Sequence, residues 1–448
     1  MQNNFRKLRI GFDTLIIGLM PKEYVDTAIG FANSIKEYFE KELDVEIIES
    51  GDIVASMEEA KASWKLFKSK DVDAVILFNG TFSPGNLTVE IVRNIEVPFL
   101  LWGVEEYEIH KHDMTGSMVA LFPQANTFAN FNRKFSFIYG SDIKKQSVRD
   151  QARVFVNAVR AIAYLREATI GVMGMRPDGF EITDYDELAL KEKFGTTIKK
   201  VSMYEFTETI KNIPEKEIDE DMKIQKQIFE ISNDSVEESR GLSRVYLAVE
   251  KVVKEKGLNA YAPDCWPELR EKDKTPICAA NGRMNEIGIM ASCECDVDGS
   301  LALMMEYAMT KSTPWLADLV NYIEKKDALL FFHCGNASAS LCKSKPVLER
   351  PFGGLAPTGI LKNGIATVCS LNSIRGKYMI HVGVGEVIDN EEYVKGSNLT
   401  IRMNNGSFDF IKSLISNGVP HHNSIVYGDI SPEIKEFANL MNIPIVEF

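Results

Sequence analysis

Residues 57–78 read MEEAKASWKLFKSKDVDAVILF, a segment with the apolar spacing of a helix followed by an apolar run of strand type, Ala74-Val75-Ile76-Leu77-Phe78. A second such run is Pro98-Phe99-Leu100-Leu101-Trp102. The residues before position 57 already alternate, with a strand-like stretch at 8–17, a helical pattern at 25–43 and a short strand at 45–48. Buried strands separated by helices of this length predict a parallel sheet with helices on both faces.

The alternation continues into a second α/β region and then stops. A long helix is predicted over 150–165 and a strand over 169–174, and the charge-rich stretch 215–234 predicts an exposed helical arm. From about residue 327, short apolar stretches between Gly- and Asn-rich turns predict antiparallel strands, at 328–332, 364–368, 377–380 and 399–402. We therefore expect an α/β protein with two doubly wound parallel-sheet domains, 1–165 and 166–326, followed by a β-rich, antiparallel, barrel-like C-terminal domain, 327–448.

Length and composition limit the functional classes. A chain of 448 residues is too long to fold around a single hydrophobic core. A composition of 45% hydrophobic and 26% charged residues is ordinary for a globular protein. A net charge of −13 without a basic cluster argues against nucleic acid or an anionic membrane as the main partner. No apolar run has the length of a membrane span, and the N-terminus has no signal-peptide cleavage site, so we expect a cytoplasmic protein.

The seven cysteines are odd in number, are absent from the first 264 residues and form no Cys-x-x-Cys pair. This pattern predicts neither a disulfide framework nor a structural zinc site. We expect most of these cysteines to be small buried hydrophobic residues.

The strongest chemical signal comes from Glu294, Asp318 and His422. Two carboxylates and an imidazole can hold one divalent cation and leave coordination positions open for a substrate. Glu294 ends an apolar strand just before a helix, where Asp296 or Asp298 already suits the role of helix cap. His422 belongs to a His421-His422 pair in a Gly/Pro loop, and packing alone does not explain such a pair.

The remaining histidines and the common cofactor motifs add less. His333 and His381 follow apolar strand residues and favour core positions, while His110 and His112 fit an exposed stretch without a metal. The chain has no G-x-G-x-x-G after its first strand, no G-x-x-x-x-G-K-[ST] and no G-x-S-x-G. We therefore expect no nucleotide cofactor and no nucleophile elbow.

Three motifs occur in a fixed order. Glu-x-Asp-x-x-Gly is formed by Glu294, Asp296 and Gly299, and Ala317-Asp318 follows with its Asp 24 residues after the Glu. His422 lies six residues before a Gly and ahead of Ile443-Pro444-Ile445. This order, with the three-part layout, resembles the L-fucose isomerase/L-arabinose isomerase family. The Asp at position 318 matches the fucose isomerase-like branch, although the chain is shorter than typical members.

The resemblance implies a metal-dependent aldose–ketose isomerase, an intramolecular oxidoreductase. Its substrate would be a free pentose or 6-deoxyhexose of the L-fucose, L-arabinose or D-arabinose type. Glu294, Asp318 and His422 would bind one divalent cation, usually Mn²⁺, and the two carboxylates would move protons through a cis-enediol. His333 matches a fourth ligand of the arabinose branch. The family also implies a homo-oligomer, hexameric or based on trimers.

Two other functional classes stay open on the sequence. A non-catalytic sugar-binding or sensor protein on paired α/β domains would need no metal. A metal-dependent aldolase or hydrolase would use similar ligands but would give cleavage products instead of an isomer pair.

Overall fold

The computed structural model describes residues 5–272, 276–389 and 394–448. The chain divides into two compact units. The N-terminal unit comprises Phe5–Ala163 and Pro432–Ile443, and the C-terminal unit comprises Tyr164–Ser431 and Pro444–Phe448. The three-domain division at residues 165 and 326 stays a prediction.

The described residues form 18 strands: β1 (Leu8–Thr14), β2 (Val45–Ile48), β3 (Ala74–Asn79), β4 (Phe99–Gly103), β5 (Ser136–Tyr139), β6 (Thr169–Met173), β7 (Thr197–Val201), β8 (Ala260–Pro263), β9 (Met290–Ala291), β10 (Trp315–Ile323), β11 (Ala328–His333), β12 (Val347–Glu349), β13 (Ala356–Ile360), β14 (Gly364–Ile374), β15 (Lys377–Ile388), β16 (Ser397–Met403), β17 (His422–Tyr427) and β18 (Ile445–Glu447). They also form 13 α-helices: α1 (Lys22–Glu42), α2 (Met57–Ser69), α3 (Gly85–Val92), α4 (Ser117–Asn130), α5 (Gln146–Glu167), α6 (Glu187–Phe194), α7 (Met203–Lys211), α8 (Glu215–Ile228), α9 (Val236–Lys256), α10 (Cys278–Glu286), α11 (Val297–Thr310), α12 (Ser407–Ser416) and α13 (Ser431–Leu440).

The N-terminal unit contains a five-stranded parallel sheet in the order β2-β1-β3-β4-β5. Alternate residues of β3 enter two different hydrophobic clusters, Ile76 and Phe78 in one and Val75 and Leu77 in the other. Because successive strand residues point to opposite faces, β3 is buried on both faces of the sheet. This burial confirms the predicted doubly wound arrangement. It also explains why the sequences of these strands are apolar along their whole length.

The C-terminal unit begins with a second parallel sheet, in the order β7-β6-β8-β9. Parallel strands end at one common edge, so the chain leaves β6, β8 and β9 on the same side of the sheet. The segments that follow these three strands contain Phe180, Arg270 and Glu294. This edge is where α/β sheets usually place their ligands.

Six antiparallel strands close into a barrel in the order β16-β11-β10-β17-β14-β15, with β15 pairing back onto β16. These strands contribute to one hydrophobic cluster, which includes Trp315, Phe331, Val368 and Ile401. Strands β12 and β13 extend the sheet beyond β16, and β18 pairs with β15 in parallel. The predicted barrel-like antiparallel region is therefore confirmed.

The charge-rich stretch after residue 214 forms α8 as predicted, but the prediction that it is an exposed arm is wrong. Its residues Asp221, Met222 and Gln225 are buried. Asp221 accepts two hydrogen bonds from Arg283, at 2.6 and 2.8 Å. One face of this charged helix is therefore held in the interior by an ion pair, which composition does not reveal.

Two further features concern the whole chain. All seven cysteines are free, and all but Cys334 are buried. This confirms the prediction that most of them are small buried hydrophobic residues. No described helix combines the length and the apolar composition that a bilayer-crossing segment needs.

Candidate metal centre

Strand register brings Asp318 and His422 together. They are direct partners in the antiparallel pair of β10 and β17. Directly opposed residues lie on the same face of a sheet. Asp318 Oδ1 lies 3.7 Å from His422 Nε2, although 104 positions separate the two residues in the sequence.

Glu294 reaches the same place from a turn with unusual backbone geometry. It lies between β9 and α11, and both Glu294 and Cys295 have positive φ, 53° and 58°. The Thr183 hydroxyl donates to the Glu294 carbonyl at 3.0 Å. Non-glycine residues in this conformation cost of the order of 1–3 kcal/mol each and cluster at functional sites. The turn places Glu294 Oε2 at 3.9 Å from His422 Nε2.

His421 is also part of this cluster. Its Nε2 lies 3.1 Å from Glu294 Oε2 and 3.9 Å from Asp318 Oδ1. Because His421 stands in a bend just before β17, it does not follow the alternation of that strand. The centroids of the His421 and His422 rings are 4.0 Å apart. The Phe180 ring meets the His421 ring edge-on, with 5.7 Å between their centroids. The sequence interpretation selected only His422, although the pair itself was the signal for both.

Asp296 fixes the orientation of His422. Its Oδ2 lies 2.8 Å from His422 Nδ1, which leaves Nε2 facing Glu294 and Asp318. Its other oxygen accepts the Gly299 N–H at 2.8 Å and caps α11, as predicted for this position. A Cβ at Gly299 would lie 2.5 Å from Asp296 Oδ2, so the Glu-x-Asp-x-x-Gly motif needs its glycine. Carboxylates that hold metal-binding imidazoles in this way are a recurrent feature of metal sites.

The residues present fit a divalent cation. Ligand atoms of Glu294, His421 and His422 all lie within 4.8 Å of one another. Two buried atoms, Asp318 Oδ1 and His422 Nε2, have no hydrogen-bond partner among the described residues. Carboxylate oxygens mixed with imidazole nitrogens are a donor set for first-row transition cations.

The charges of the cluster also favour a cation. Burial by itself would lower the pKa of His422, but the hydrogen bond and charge of Asp296, with the charges of Asp318 and Glu294, raise it to about 9. Burial raises the pKa of Asp318, and His422 and His421 oppose this shift. A bound cation would offset the carboxylates and take the place of the proton on His422 Nε2.

His333 lies beside the cluster. Its ring is 5.9 Å from that of His422 at an interplanar angle of 24°. Its Nδ1 accepts the Cys334 N–H at 2.8 Å. Burial, followed by the charges of His422, Arg270 and His421, holds its pKa well below 6.5. The side chain is thus neutral, and its role as a fourth ligand stays a prediction.

Comparison with known families identifies the chain. Residues 27–166 match the family model "Fucose/sulfoquinovose isomerase, N-terminal domain" and residues 331–448 match "L-fucose isomerase, C-terminal domain". The chain belongs to the fucose isomerase-like family. It is therefore a sugar isomerase, of the EC 5.3.1 type, which decides among the classes left open by the sequence.

Relatives of this fucose isomerase-like protein extend the likeness across the unmatched middle, where Glu294 and Asp318 lie. A protein named sulfoquinovose isomerase from Priestia megaterium is 26% identical over 407 residues, which cover 89% of this chain and 90% of the relative. Two others with the same name come from Alkalicoccus urumqiensis, 24% identical over 85% of this chain and 87% of the relative, and from a Clostridium species, 23% identical over 82% and 85%.

Proposed function

We propose that this isomerase interconverts an aldose and its 2-ketose with a divalent cation, Mn²⁺, bound by Glu294, Asp318 and His422. The observation that supports this most strongly is the cluster itself. Carboxylate oxygens of Glu294 and Asp318 lie 3.9 and 3.7 Å from His422 Nε2. His421 would complete the donor set.

We further propose sulfoquinovose, the 6-sulfonated form of 6-deoxyglucose, as the substrate. The support is that the three relatives described above are named for it and align over 82% or more of this chain. The second candidate is a neutral pentose or 6-deoxyhexose of the L-fucose, L-arabinose or D-arabinose type. Both family models name fucose, and position 318 has the Asp of that branch.

In the proposed reaction, the two carboxylates would move the protons. The bound cation would polarise the substrate carbonyl and make the C2 proton more acidic. One carboxylate of Glu294 and Asp318 would take the proton from C2 to give a cis-enediol. The other would assist transfer of the hydroxyl proton from O2 to O1, after which a proton is delivered to C1.

Product analysis of purified protein with Mn²⁺ and sulfoquinovose tests the proposal. Wild type is expected to form the 2-ketose isomer, separated by chromatography. Glu294→Gln and Asp318→Asn are each expected to lower turnover by about 10²–10⁴-fold, because general acid–base groups contribute on this scale. Their circular dichroism is expected to match wild type.

A matched control is available on the neighbouring helix. Asp298 is a buried carboxylate whose pKa burial raises to about 7, so an amide resembles its protonated form. Asp298→Asn is expected to retain most turnover. Near-normal turnover of Glu294→Gln with added Mn²⁺ would show that the proposed chemistry is wrong.

We also propose a homo-oligomer, a hexamer or a trimer-based assembly, on the basis of the family resemblance. Light scattering coupled to gel filtration measures the mass directly. A mass near the 50.3 kDa of one chain would contradict the proposal.

A further inference from the structure

Arg270 lies on the ligand edge of the second parallel sheet. It belongs to the segment Cys265–Lys272, which follows β8. The segments after β6 and β9 leave from the same edge and contain Phe180 and Glu294. Only 7% of the Arg270 surface is exposed, so its charge is largely removed from water.

This buried cation has no carboxylate partner among the described residues. Its Nη2 lies 3.3 Å from Cys278 Sγ, and its Nε has no hydrogen-bond partner in the described part of the chain. Its other thiol neighbours are Cys334 and Cys265, and an ordinary thiol is mostly protonated at neutral pH and so supplies no full counter-charge. Arg283, which is also buried, has by contrast a two-fold ion pair with Asp221 at 2.6 and 2.8 Å.

The guanidinium also lies close to the candidate metal centre. The His333 ring packs 5.9 Å from that of His422. Cys334, which contacts Arg270, directly follows His333 in the sequence. Arg270 therefore contacts the residue next to His333, which itself packs against the candidate ligand His422.

We propose that Arg270 binds the sulfonate of the substrate and thereby makes the enzyme prefer a sulfonated sugar over its neutral analogue. This inference rests on the proposed function. A buried cation without a counter-charge is costly, and an anion at the guanidinium would remove that cost. The planar fork of arginine suits oxyanions with two oxygens in one plane. A chain of net charge −13 also needs a local cation to attract an anionic sugar.

The test compares sulfoquinovose with 6-deoxyglucose, which lacks only the sulfonate. For wild type, Arg270→Gln and Arg270→Lys, kcat/KM is measured with both sugars. Arg270→Gln is expected to lower kcat/KM for sulfoquinovose at least about 30-fold more than for 6-deoxyglucose, since loss of one partner of a buried charge pair has effects of this size. Arg270→Lys keeps the charge but loses the fork, and it is expected to retain part of the preference.

Arg176 supplies the matched control. It lies on the segment after β6, and its charge is already balanced by Glu181 at 3.7 Å and Asp184 at 3.9 Å. Arg176→Gln is expected to change the ratio of the two kcat/KM values by less than about threefold, because such exposed pairs contribute little.

The outcomes separate this inference from the proposed function. A wild type inactive on sulfoquinovose would refute the substrate. If the wild type is active and Arg270→Gln lowers kcat/KM equally for both sugars, the role of Arg270 is refuted and the proposed substrate stands. If Arg270→Gln does not fold, Arg270→Lys decides, and an equal loss on both sugars in that variant overturns the inference.

Discussion

Asp296 has two partners, the N–H of Gly299 and the ring of His422. Asp296→Asn keeps a residue that caps helices well but removes the charge that holds the imidazole. We expect its Mn²⁺ affinity, measured by titration calorimetry, to fall about 10–100-fold, as is typical when such a partner is lost. Asp298→Asn is the control and is expected to bind close to wild type. Equal affinities of Asp296→Asn and wild type would show that the carboxylate does not position His422.

Asp13 predicts a pH dependence of stability in the N-terminal unit. It is 1% exposed and accepts a hydrogen bond from the Ser63 hydroxyl at 2.5 Å. Burial raises its pKa from 3.8 to about 7, Ser63 opposes the shift and the charge of Glu49 adds to it. Between pH 3.8 and about 7 the folded state therefore binds more protons than the unfolded state, so stability falls as the pH rises through this window.

Asp13→Asn removes this titration. The gain in unfolding free energy of the variant over wild type is expected to be larger at pH 8 than at pH 4, by about 2–4 kcal/mol. Urea unfolding of both proteins at the two pH values measures it. A gain that does not change with pH would mean that the pKa of Asp13 is not raised in the folded protein.

At the residue scale, sequence reasoning found Glu294, Asp318 and His422 as candidates but missed His421. Only His422 matched the motif order of the resembled family, so its neighbour was not selected. Adjacent residues in a strand point to opposite faces, which would separate the two side chains. The bend before β17 removes that restriction for His421. The left-handed turn at Glu294 and Cys295 was equally hidden, because neither residue type favours positive φ.

At the scale of elements, the start of α11 makes a prediction about glycine. A Cβ at Gly299 would lie 2.5 Å from the Asp296 carboxylate, which hydrogen bonds fix on both sides. Gly299→Ala is expected to destabilise the protein by about 1–3 kcal/mol, as overpacking does. At Gly30, within α1, a Cβ would meet nothing within 4 Å. Gly30→Ala is expected to stabilise by about 0.5–1 kcal/mol, because alanine favours helices. Urea midpoints that move in the same direction for both variants would contradict this interpretation.

Strands were the elements most open to prediction. The apolar runs around Val75 and Leu100 have no polar face and therefore indicated buried parallel strands, which the structure shows as β3 and β4. The short antiparallel stretches at 328–332 and 399–402 were confirmed as β11 and β16. The buried face of α8 was not predictable, because it depends on the distant partner Arg283 for Asp221. The alignment of Asp318 with His422 likewise comes from tertiary register.

At the scale of the whole molecule, the candidate ligands come from parts of the chain that lie far apart in sequence, near 294, 318 and 422. A cation that binds only the folded state stabilises it by RT ln(1 + [L]/Kd), about 2.7 kcal/mol at 100 times Kd. Removal of metal with a chelator is therefore expected to lower the melting temperature and abolish turnover, and added Mn²⁺ to restore both. Glu294→Gln is expected to show a smaller Mn²⁺-dependent shift. A melting temperature that chelation and Mn²⁺ leave unchanged would contradict a shared cation.

The most direct test of the metal centre is anomalous diffraction at the manganese edge from crystals grown with Mn²⁺. We predict one peak within bonding distance, about 2.0–2.3 Å, of Glu294, Asp318 and His422. The same map would show whether His421 or His333 supplies a further nitrogen. Absence of a peak at these three residues in Mn²⁺-loaded crystals, or a peak only elsewhere, would contradict the account.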